Sequence, residues 1–461
     1  MIYQVSDRPS FSKTIVFAIQ QILAIMAATI VVPVIVNGAA ELGGDAAMSQ
    51  SAALLGAGVG TLVYLLFTKF RSPVFLGSSF AFIPSMIAAF AGALGNYTLG
   101  YLGLIIGAVF AGLVYVIIAI VVKFAGVKWI AKLMPPVVIG PTVALIGLSL
   151  AGAAIKDVFS YGPQDADDNF IMSTKIWISF ICALVTFIVV VITSTYGKKI
   201  AKLIPFIIGI GAGYATALVF TLIGKAAGNA DLMIINFAPL KALVEGGVSL
   251  KTFIAVPEFA FIDAFKGVGA FTPAYLVTVL VAYVPVAFVV FAEHIADHKN
   301  LSSIIEADLL EEPGLHRTLL GDGVGSMAGA LFGGCPNTTY GESVGCVAIT
   351  GNASVVTILT AAIGCILISF FSPFVALLST IPGCVMGGVC ITLYGFIAVS
   401  GLKMIQKVDL EDSANLFTVS AILIPGIGGM AMSIGGIVIT TTACALILGI
   451  IVNIILHRKK D

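Results

Sequence analysis

The sequence predicts an all-α, polytopic membrane protein with about fourteen transmembrane segments in two inverted halves of about seven each. Three observations lead to this fold class. Hydrophobic residues make up 59% of the 461 residues and charged residues only 10%, far from the balance of a typical soluble domain. Apolar runs long enough for membrane helices recur along the whole chain. Two of these runs, at matching places in the two halves, are interrupted by glycine or proline.

The predicted spans follow from allowing about 20 apolar residues for each helix. They lie near residues 13–36, 49–69, 80–94, 98–122, 134–155, 173–195, 201–223, 273–296, 317–333, 341–352, 353–373, 382–401, 414–433 and 434–456. The basic residues between them share one predicted side: Arg8, Lys13, Lys69, Arg71, Lys123, Lys128, Lys132, Lys198, Lys199, Lys202, Lys299, Arg317, Lys403, Lys407 and Arg458 to Lys460. The positive-inside rule makes this side cytoplasmic. Both termini are therefore predicted to lie inside the cell, with the chain in the plasma membrane.

Charge, the first apolar run and the cysteines argue against several other classes. Lys+Arg and Asp+Glu both number 23, so no net charge attracts nucleic acid. The first apolar run continues to Val36, which predicts a retained span rather than a cleaved signal peptide. Nearly all of the 7 cysteines fall within apolar runs, which predicts packing residues rather than disulfides or a metal cluster.

The stretch 331–351 cannot form one ordinary membrane helix. Gly333, Gly334 and Pro336 interrupt it, residues 337–339 are polar, and Glu342 is charged. Non-helical backbone within a membrane persists only where protein encloses it or where it lines a cavity, and an ionisable residue there indicates a functional site. We therefore predict a binding site in this stretch.

A weak internal repeat relates this stretch to the first half of the chain. Residues 72–80 precede the third predicted span and residues 335–341 precede the tenth, so short strands are predicted to interrupt spans three and ten. A second pair of motifs has nearly equal spacing: Pro135, Gly140 and Gly147 against Pro382, Gly388 and Gly395. Interrupted segments at matching places of inverted halves are typical of secondary transporters and indicate the substrate site. The alternative is that glycine and proline are simply frequent in membrane helices.

Two carboxylates, Glu293 and Asp297, end the eighth predicted span four residues apart and so share one helix face. If they lie near Glu342 in a weakly hydrated place, the three groups cannot all be ionised at low cost and titrate as a coupled set. A carboxyl group that gains and loses a proton is what a proton-coupled carrier needs. The alternative is that Asp297 marks the cytoplasmic end of its helix. Glu293 lies deep in the protein only if the helix continues past His298.

His294 and His298 form an H-x-x-x-H pattern, which raises the alternative of a membrane metalloenzyme. Such a site needs three or more converging ligands, and the other histidines, His316 and His457, fall at predicted helix ends elsewhere. We therefore predict no metal site and no cofactor, and expect surface-facing or helix-end histidines. The glycines at 321, 325, 329 and 333 recur every four residues. This period predicts a close-packing helix face rather than a nucleotide loop, because no strand precedes it.

The two extended pieces leave backbone N–H and C=O groups free, and each leads into a helix N-terminus that carries partial positive charge. Together with the ring of Phe80 and the carboxylates of Glu293 and Glu342, these groups suit a small, flat ring with alternating carbonyl and N–H groups. Phe80 could stack on such a ring. Ordinary helix packing is the alternative for Phe80.

Four segments now carry a resemblance over nearly the whole chain: Leu-Gly-Ser-Ser-Phe-Ala-Phe at 76–82, Ala-Glu-His-Ile at 292–295, Pro-Gly-Leu-His-Arg at 313–317 and Pro-Asn-Thr-Thr-Tyr-Gly-Glu at 336–342. In these the chain resembles the nucleobase–ascorbate transporters, or nucleobase:cation symporter-2 family, and within them the bacterial branch that carries uracil. The resemblance implies a core domain of residues 1–123 and 261–373 that moves against a gate domain of residues 124–260 and 374–461. It also implies a homodimer through the gate domain.

The resemblance further implies roles for single residues. Glu293 and Glu342 would hold the nucleobase, while Phe80 and either Gly341 or Tyr340 contribute backbone contacts. Ala28 would line the site, and Asp297 would share proton coupling with Glu293 and Glu342. The sequence departs from the family pattern at Ser343, where Asn is usual, and at Gln21, where His is usual.

The function expected from this resemblance is proton-coupled uracil import by alternating access, without enzymatic activity. Its partners would be a nucleobase, a proton and the lipid bilayer, and not nucleic acid. A xanthine or urate permease of the same fold is the alternative. A membrane metalloenzyme and an anion exchanger fit the residues less well.

Overall fold

The computed structural model describes residues 1–126, 135–434 and 437–457. The predicted basic positions Lys128, Lys132 and Arg458 to Lys460 lie outside the described residues. The chain is mostly helical, with two small antiparallel sheets among the described residues. In the first half, α1 is Phe11–Ala39, α2 Gln50–Phe67, β1 Leu76–Ser78, α3 Ile83–Gly92, α4 Tyr97–Ala125, α5 Pro136–Ser149, α6 Ala151–Val158, α7 Thr174–Tyr196, α8 Ile200–Leu203 and α9 Pro205–Ala227.

Three short helices follow: α10 Ala238–Ala242, α11 Leu250–Phe253 and α12 Ala260–Gly267. The second half contains α13 Pro273–Ile305, α14 Leu315–Gly333, β2 Asn337–Thr339, α15 Gly341–Thr350, α16 Val355–Ser369, α17 Ser372–Ser379, α18 Gly383–Ile405, α19 Ser413–Ile427, β3 Met432–Ile434, β4 Ile437–Ile439 and α20 Thr441–His457. A 3-10 turn, Phe80–Phe82, separates β1 from α3.

The predicted membrane class is consistent with the lengths of these helices. Eight helical segments of the described chain are long and apolar enough to cross a membrane: Phe11–Ala39, Gly44–Phe67, Tyr97–Ala125, Pro136–Val158, Thr174–Tyr196, Pro205–Ala227, Pro273–Ile305 and Gly383–Ile405. A helix overlaps each of the predicted spans, but several are short, so the count of about fourteen and the inverted halves stay predictions. Several boundaries are wrong, among them the end of the eighth span and the start of the last. The predicted span 434–456 begins with a strand, and its helix starts only at Thr441.

The predicted strands before the third and tenth spans are present and pair with each other. β1 and β2 run antiparallel, with Leu76 opposite Thr339 and Ser78 opposite Asn337. All residues of both strands are buried. Strands from distant parts of the chain therefore satisfy each other's backbone groups inside the protein, as an enclosed non-helical segment requires.

The glycine face predicted in the ninth span is confirmed as a close helix contact. A Cβ on Gly325 of α14 would lie 2.7 Å from the carbonyl oxygen of Gly60 in α2, and one on Gly333 would lie 3.0 Å from the Cα of Gly56. Such contacts leave no room for a side chain and allow the two backbones to approach each other. They fix α14 against α2 and so position β2, which directly follows α14.

Two further helices begin alike, at the paired prolines. Pro135 precedes α5 and Pro382 precedes α18, each as an extended N-cap residue. The two helices also cross closely, because a Cβ on Gly147 would lie 3.0 Å from the Cα of Ala398. The helices α5 and α18 thus form a packed pair. They lie across the cavity described next from α13 and from the helices that follow β1 and β2.

Candidate functional site

A cavity of about 460 Å³ lies where β1 and β2 lead into their helices. Its polar wall comes from the turn after β1, from α13 and from the β2–α15 junction, and its apolar wall from α5, α9 and α18. It is lined by six of the predicted site residues: Phe80, Glu293, Asp297, Tyr340, Gly341 and Glu342. The sequence patterns thus identify residues that are far apart in the chain and close together in the fold.

The strand ladder continues up to the cavity at both ends of the sheet. The backbone N–H of Ser79 donates to the Pro336 carbonyl at 2.8 Å, and that of Tyr340 donates to the Phe75 carbonyl at 3.3 Å. The chain then turns into helix after Ser79 on one side, through the 3-10 turn, and after Tyr340 on the other. The first N–H groups of a helix have no partner within the helix, so both turns present donors to a ligand.

The acidic residues of α13 face this cavity because the helix extends much further than its hydropathy predicts. The predicted end was near residue 296, whereas the helix continues to Ile305. Glu293 and Asp297 therefore lie within the helix and both line the cavity. The alternative that Asp297 merely marks the helix end is wrong.

Asp297 and Glu342 both lie beside the start of α15. The hydroxyl of Thr339 in β2 donates to Asp297 Oδ2 at 2.7 Å, and a Cβ on Gly341 would lie 3.8 Å from Asp297 Oδ1. Glu342 occupies the first turn of α15, where the helix dipole favours a negative charge. The arrangement binds one carboxylate to the strand and places the other at the helix N-terminus.

Of the predicted site residues, Tyr340 lines the cavity and Ala28 does not. The Tyr340 side chain is buried behind the sheet, where its hydroxyl donates to the Ser78 carbonyl at 2.8 Å. With the hydroxyl engaged in this way, the backbone contact to ligand expected of Tyr340 stays a prediction. Ala28 is 1% exposed in a packed cluster with Leu76 and Val344 and does not line the described cavity. The prediction that Ala28 lines the site is not supported.

The prediction for the histidines is wrong. His294 and His298 are completely buried, on the face of α13 adjacent to its two acids. His294 Nδ1 lies 2.7 Å from Asp322 Oδ2, and His298 Nε2 lies 2.7 Å from the Tyr64 hydroxyl. Protein partners therefore hold both rings, and in the described part of the chain no group of three His, Cys, Asp or Glu residues is arranged to hold a metal.

The two departures from the family pattern contact each other. The Gln21 side-chain amide of α1 donates to the Ser343 hydroxyl in α15. The same hydroxyl oxygen accepts the backbone N–H of Phe75, just before β1, at 3.1 Å. Ser343 thus connects α1, α15 and the segment before β1, next to Glu342 in the chain.

Sequence reasoning missed Asp322 and Thr339. Asp322 directly follows the first glycine of the packing face, and a carboxylate within a predicted span is itself a signal of function. Thr339 was recognised only as part of a polar stretch. Its bond to Asp297 requires the pairing of β2 with its neighbours, which a single sequence does not contain.

The fold and the cavity define a membrane permease, and comparison with known proteins agrees. The model of the Permease family matches residues 12–435. Among curated proteins, the uracil permease of Bacillus subtilis strain 168 is 38% identical over 99% of this chain and 95% of its own length. The uracil permease of Escherichia coli K12 is 32% identical over 98% of this chain and 93% of its own length. The chain therefore belongs to the Permease family, the nucleobase–ascorbate transporters that its motifs resemble.

Solved structures of lower sequence identity share the fold. The transmembrane domain of the cyanobacterial bicarbonate transporter BicA superposes with a TM-score of 0.62 at 14% identity, covering 98% of this chain and 100% of that domain. Murine Slc26a9, an anion transporter in the inward-facing state, superposes with a TM-score of 0.64 at 12% identity, covering 99% of this chain and 69% of that chain. At these identities the likeness shows a common architecture and nothing of the substrate.

Proposed function

We propose that this chain imports uracil together with protons by alternating access. The observation that carries the proposal is that Glu293, Asp297 and Glu342 line one cavity with the N-terminal turns of two interrupted spans. The curated relatives that bear the name uracil permease support the choice of substrate.

Uracil matches the groups of the cavity in shape and in hydrogen bonding. Its flat ring carries two N–H donors and two carbonyl acceptors. Glu293 and Glu342 accept the N–H groups, backbone N–H groups near Phe80 and Gly341 donate to the carbonyls, and the Phe80 ring stacks on the base. Hydrogen bonds to charged groups contribute about 1.5–3 kcal/mol each, so loss of either carboxylate weakens binding strongly.

Proton coupling follows from the crowding of the acids. Three carboxyl groups in one partly desolvated cavity cannot all be ionised at low cost, so loading of a proton and loading of the base are linked. Asp297 contacts β2 directly, because the Thr339 hydroxyl of that strand donates to it at 2.7 Å. Protonation of Asp297 would weaken this bond and so change the position of β2 beside the substrate.

In alternating access, two domains move relative to each other, and each domain carries one wall of the cavity. Residues 1–123 and 261–373 form the core domain, which carries the polar wall, and residues 124–260 and 374–461 form the gate domain, which carries the apolar wall. An apolar wall lets the bodies slide without breaking hydrogen bonds. The gate domain also forms the homodimer, and both termini face the cytoplasm of a cell whose plasma membrane holds the protein.

Glu342→Gln tests the proposal. This change keeps the size of the side chain but removes its charge and its proton. We expect it to abolish accumulation of labelled uracil in cells, and we expect a protonophore to collapse accumulation by the unaltered protein. The matched control is Glu311→Gln, the same chemical change at an exposed position, which should transport normally. Accumulation that survives both Glu342→Gln and the protonophore would refute the proposal.

A substrate panel separates uracil from the purine alternative. Unlabelled xanthine, urate and other bases are added in excess to labelled uracil. Uracil itself should compete and xanthine should not, because a purine carries a second fused ring. Strong competition by xanthine or urate instead would identify a purine permease of the same fold.

A further inference from the structure

A second polar cluster lies behind the cavity, on the face of α13 next to its acids. His294 Nδ1 lies 2.7 Å from Asp322 Oδ2, and His294 Nε2 lies 3.0 Å from the Thr318 hydroxyl. All three side chains are 0% exposed. A buried carboxylate and imidazole of this kind form a unit whose proton content is restricted, because an unpaired charge there is costly.

The hydrogen bonds of Thr318 determine where the protons of this unit are. Its hydroxyl has one hydrogen and lies 3.1 Å from the Leu315 carbonyl as well as 3.0 Å from His294 Nε2. When the hydroxyl donates to Leu315, His294 Nε2 must be the donor to Thr318. The contact between His294 Nδ1 and Asp322 then needs a further proton, held on the carboxyl or on the imidazole. The pair is neutral in this state.

Rotation of the same hydroxyl gives a second state with one proton fewer. When Thr318 donates to His294 Nε2, the remaining imidazole hydrogen sits on Nδ1 and donates to an ionised Asp322. Every nitrogen of the ring is hydrogen-bonded in both states. The unit therefore binds and releases a proton with the movement of one hydroxyl hydrogen.

The groups around Asp322 can stabilise its ionised form by hydrogen bonding. Asp322 Oδ1 and the hydroxyls of Tyr115 and Thr338 are buried and have no partner in good hydrogen-bonding geometry among the described residues, although the Thr338 hydroxyl lies beside both others. The Thr338 hydroxyl can donate to an ionised Asp322 and accept in turn from the Tyr115 hydroxyl. The ionisable groups around it are Glu293, Asp297 and His298 of α13, Tyr64 of α2 and Tyr115 of α4.

The cluster is connected to the cavity through β2. Thr338 contacts Asp322 on one side and belongs to the cavity lining on the other. Ionised Glu293 and Asp297 favour the loaded state of the pair, since a further negative charge nearby is repelled. Proton occupancy of the pair and the state of the cavity are thus linked by short-range contacts and by charge.

We propose that His294, Asp322 and Thr318 form a proton-binding site, separate from the carboxylates that line the cavity, which loads and releases one proton in each transport cycle. On release, the Thr318 hydroxyl turns to donate to His294 Nε2, and the proton that Nε2 carried passes to water in the cavity. The hydrogen between His294 Nδ1 and Asp322 Oδ2 stays on Nδ1, which leaves a neutral imidazole that donates to a carboxylate. The proposal rests on proton-coupled transport as the proposed function.

Asp322→Asn tests it in purified protein reconstituted into vesicles. The amide can donate to His294 Nδ1 but cannot release a proton. Accumulation of uracil driven by an imposed pH gradient should fall about tenfold or more, because a step that requires deprotonation is blocked. Exchange of labelled for unlabelled uracil, which needs no net proton release, and uracil binding should stay within about threefold of the unaltered protein. Normal gradient-driven accumulation by Asp322→Asn would overturn the proposal.

If Asp322→Asn does not fold, a matched pair of variants at Thr318 still tests the proposal. Thr318→Val has nearly the same shape without the hydroxyl, and Thr318→Ser retains it. Valine should lose gradient-driven accumulation while it retains exchange, and serine should restore most of it. Equal accumulation by the two variants, or joint loss of binding and exchange in folded protein, would overturn the proposal by assigning the cluster a structural role. If accumulation by the unaltered protein did not depend on the pH gradient, the proposed function, proton-coupled transport, would itself be wrong.

Discussion

The described part of the chain contains two sheets of the same size in contrasting surroundings. Each is a pair of three-residue antiparallel strands. The sheet β1–β2 joins distant parts of the chain, with Gly77 opposite Thr338, and all its residues are buried. The sheet β3–β4 is a local hairpin with Ser433 opposite Val438, and β3 is exposed throughout, with Ile434 at 60%.

The difference shows that enclosure, and not the strands themselves, makes a binding site. In β1–β2 the ladder satisfies the strand backbones, so the donors left over are those of the helix starts beside Phe80 and Gly341. Non-helical backbone of this kind within a membrane protein must be enclosed by protein. The hairpin β3–β4 also leads into a helix, α20, but there the Thr440 side chain accepts the N–H of Ala443 at 3.2 Å, so the chain caps that helix start itself. Substitutions that compare the two sheets should therefore differ sharply in effect.

The largest contrast is expected at the central strand positions. A Cβ on Gly77 of β1 would collide with the ring of Tyr340, so Gly77→Val forces the ring away from the sheet. Overpacking of this kind costs about 1–3 kcal/mol, and here it also displaces the start of α15. We expect loss of uracil uptake and a lower midpoint of thermal unfolding.

The control for Gly77→Val is Ser433→Val at the centre of β3. This side chain is exposed, so uptake should be unchanged. Normal uptake by Gly77→Val would show that the buried sheet accommodates a larger side chain as readily as the exposed one. The proposed distinction between the two sheets would then be wrong.

A smaller contrast is expected for asparagine side chains bonded to backbone. Asn337 of β2 is fully buried and donates to the Gly56 carbonyl at 2.9 Å, so Asn337→Ala removes a buried hydrogen bond between β2 and α2 and should lower the free energy of unfolding by about 0.5–1.5 kcal/mol. Asn415 makes the same kind of bond to the Asp409 carbonyl at 2.9 Å on the surface. There Asn415→Ala should cost less than about 0.5 kcal/mol. Chemical denaturation in detergent compares them, and equal losses would contradict the role of burial.

The positions of the helices were readable from the sequence because apolar runs and their glycine or proline breaks are local signals. The strands before the third and tenth spans were predicted for the same reason. The end of α13 was not, because hydropathy takes polar His294 and His298 for a helix end. Their burial depends on partners in α2 and α14 that a linear pattern does not contain. The hairpin β3–β4 was hidden in a stretch that is apolar enough for helix.

The candidate site was predictable where chemistry is carried by charge or by backbone breaks. Glu293, Glu342 and the residues around Gly341 stood out as polar features in apolar surroundings. Ala28 was assigned from the resemblance alone, and an alanine carries no chemical signal that could check it. The contact between Gln21 and Ser343 joins the two positions that depart from the family pattern, but it appears only when α1 and α15 are packed together.

Tyr340→Phe sharpens the comparison within the buried sheet, with a modest expected effect. The change removes the hydroxyl that donates to the Ser78 carbonyl at 2.8 Å while it keeps the ring that packs on Gly77. Loss of one neutral hydrogen bond costs about 1 kcal/mol, and uracil affinity should fall by a few-fold as the start of α15 loosens. Calorimetric titration measures this. A loss of a hundredfold would contradict the buried position of the hydroxyl, since only a group in contact with the ligand contributes so much.

The smallest effect is expected at the exposed edge of the hairpin. Ile434→Ser replaces an apolar side chain that is 60% exposed, so it removes few packing contacts and should change the free energy of unfolding by less than about 0.5 kcal/mol. Uptake should stay at the level of the unaltered protein, measured in cells at equal expression. A clear loss of uptake together with a change in oligomeric state would show that a second chain covers β3 in the membrane. In that case both sheets are enclosed, and the helix starts beside Phe80 and Gly341 alone distinguish the binding site from the hairpin.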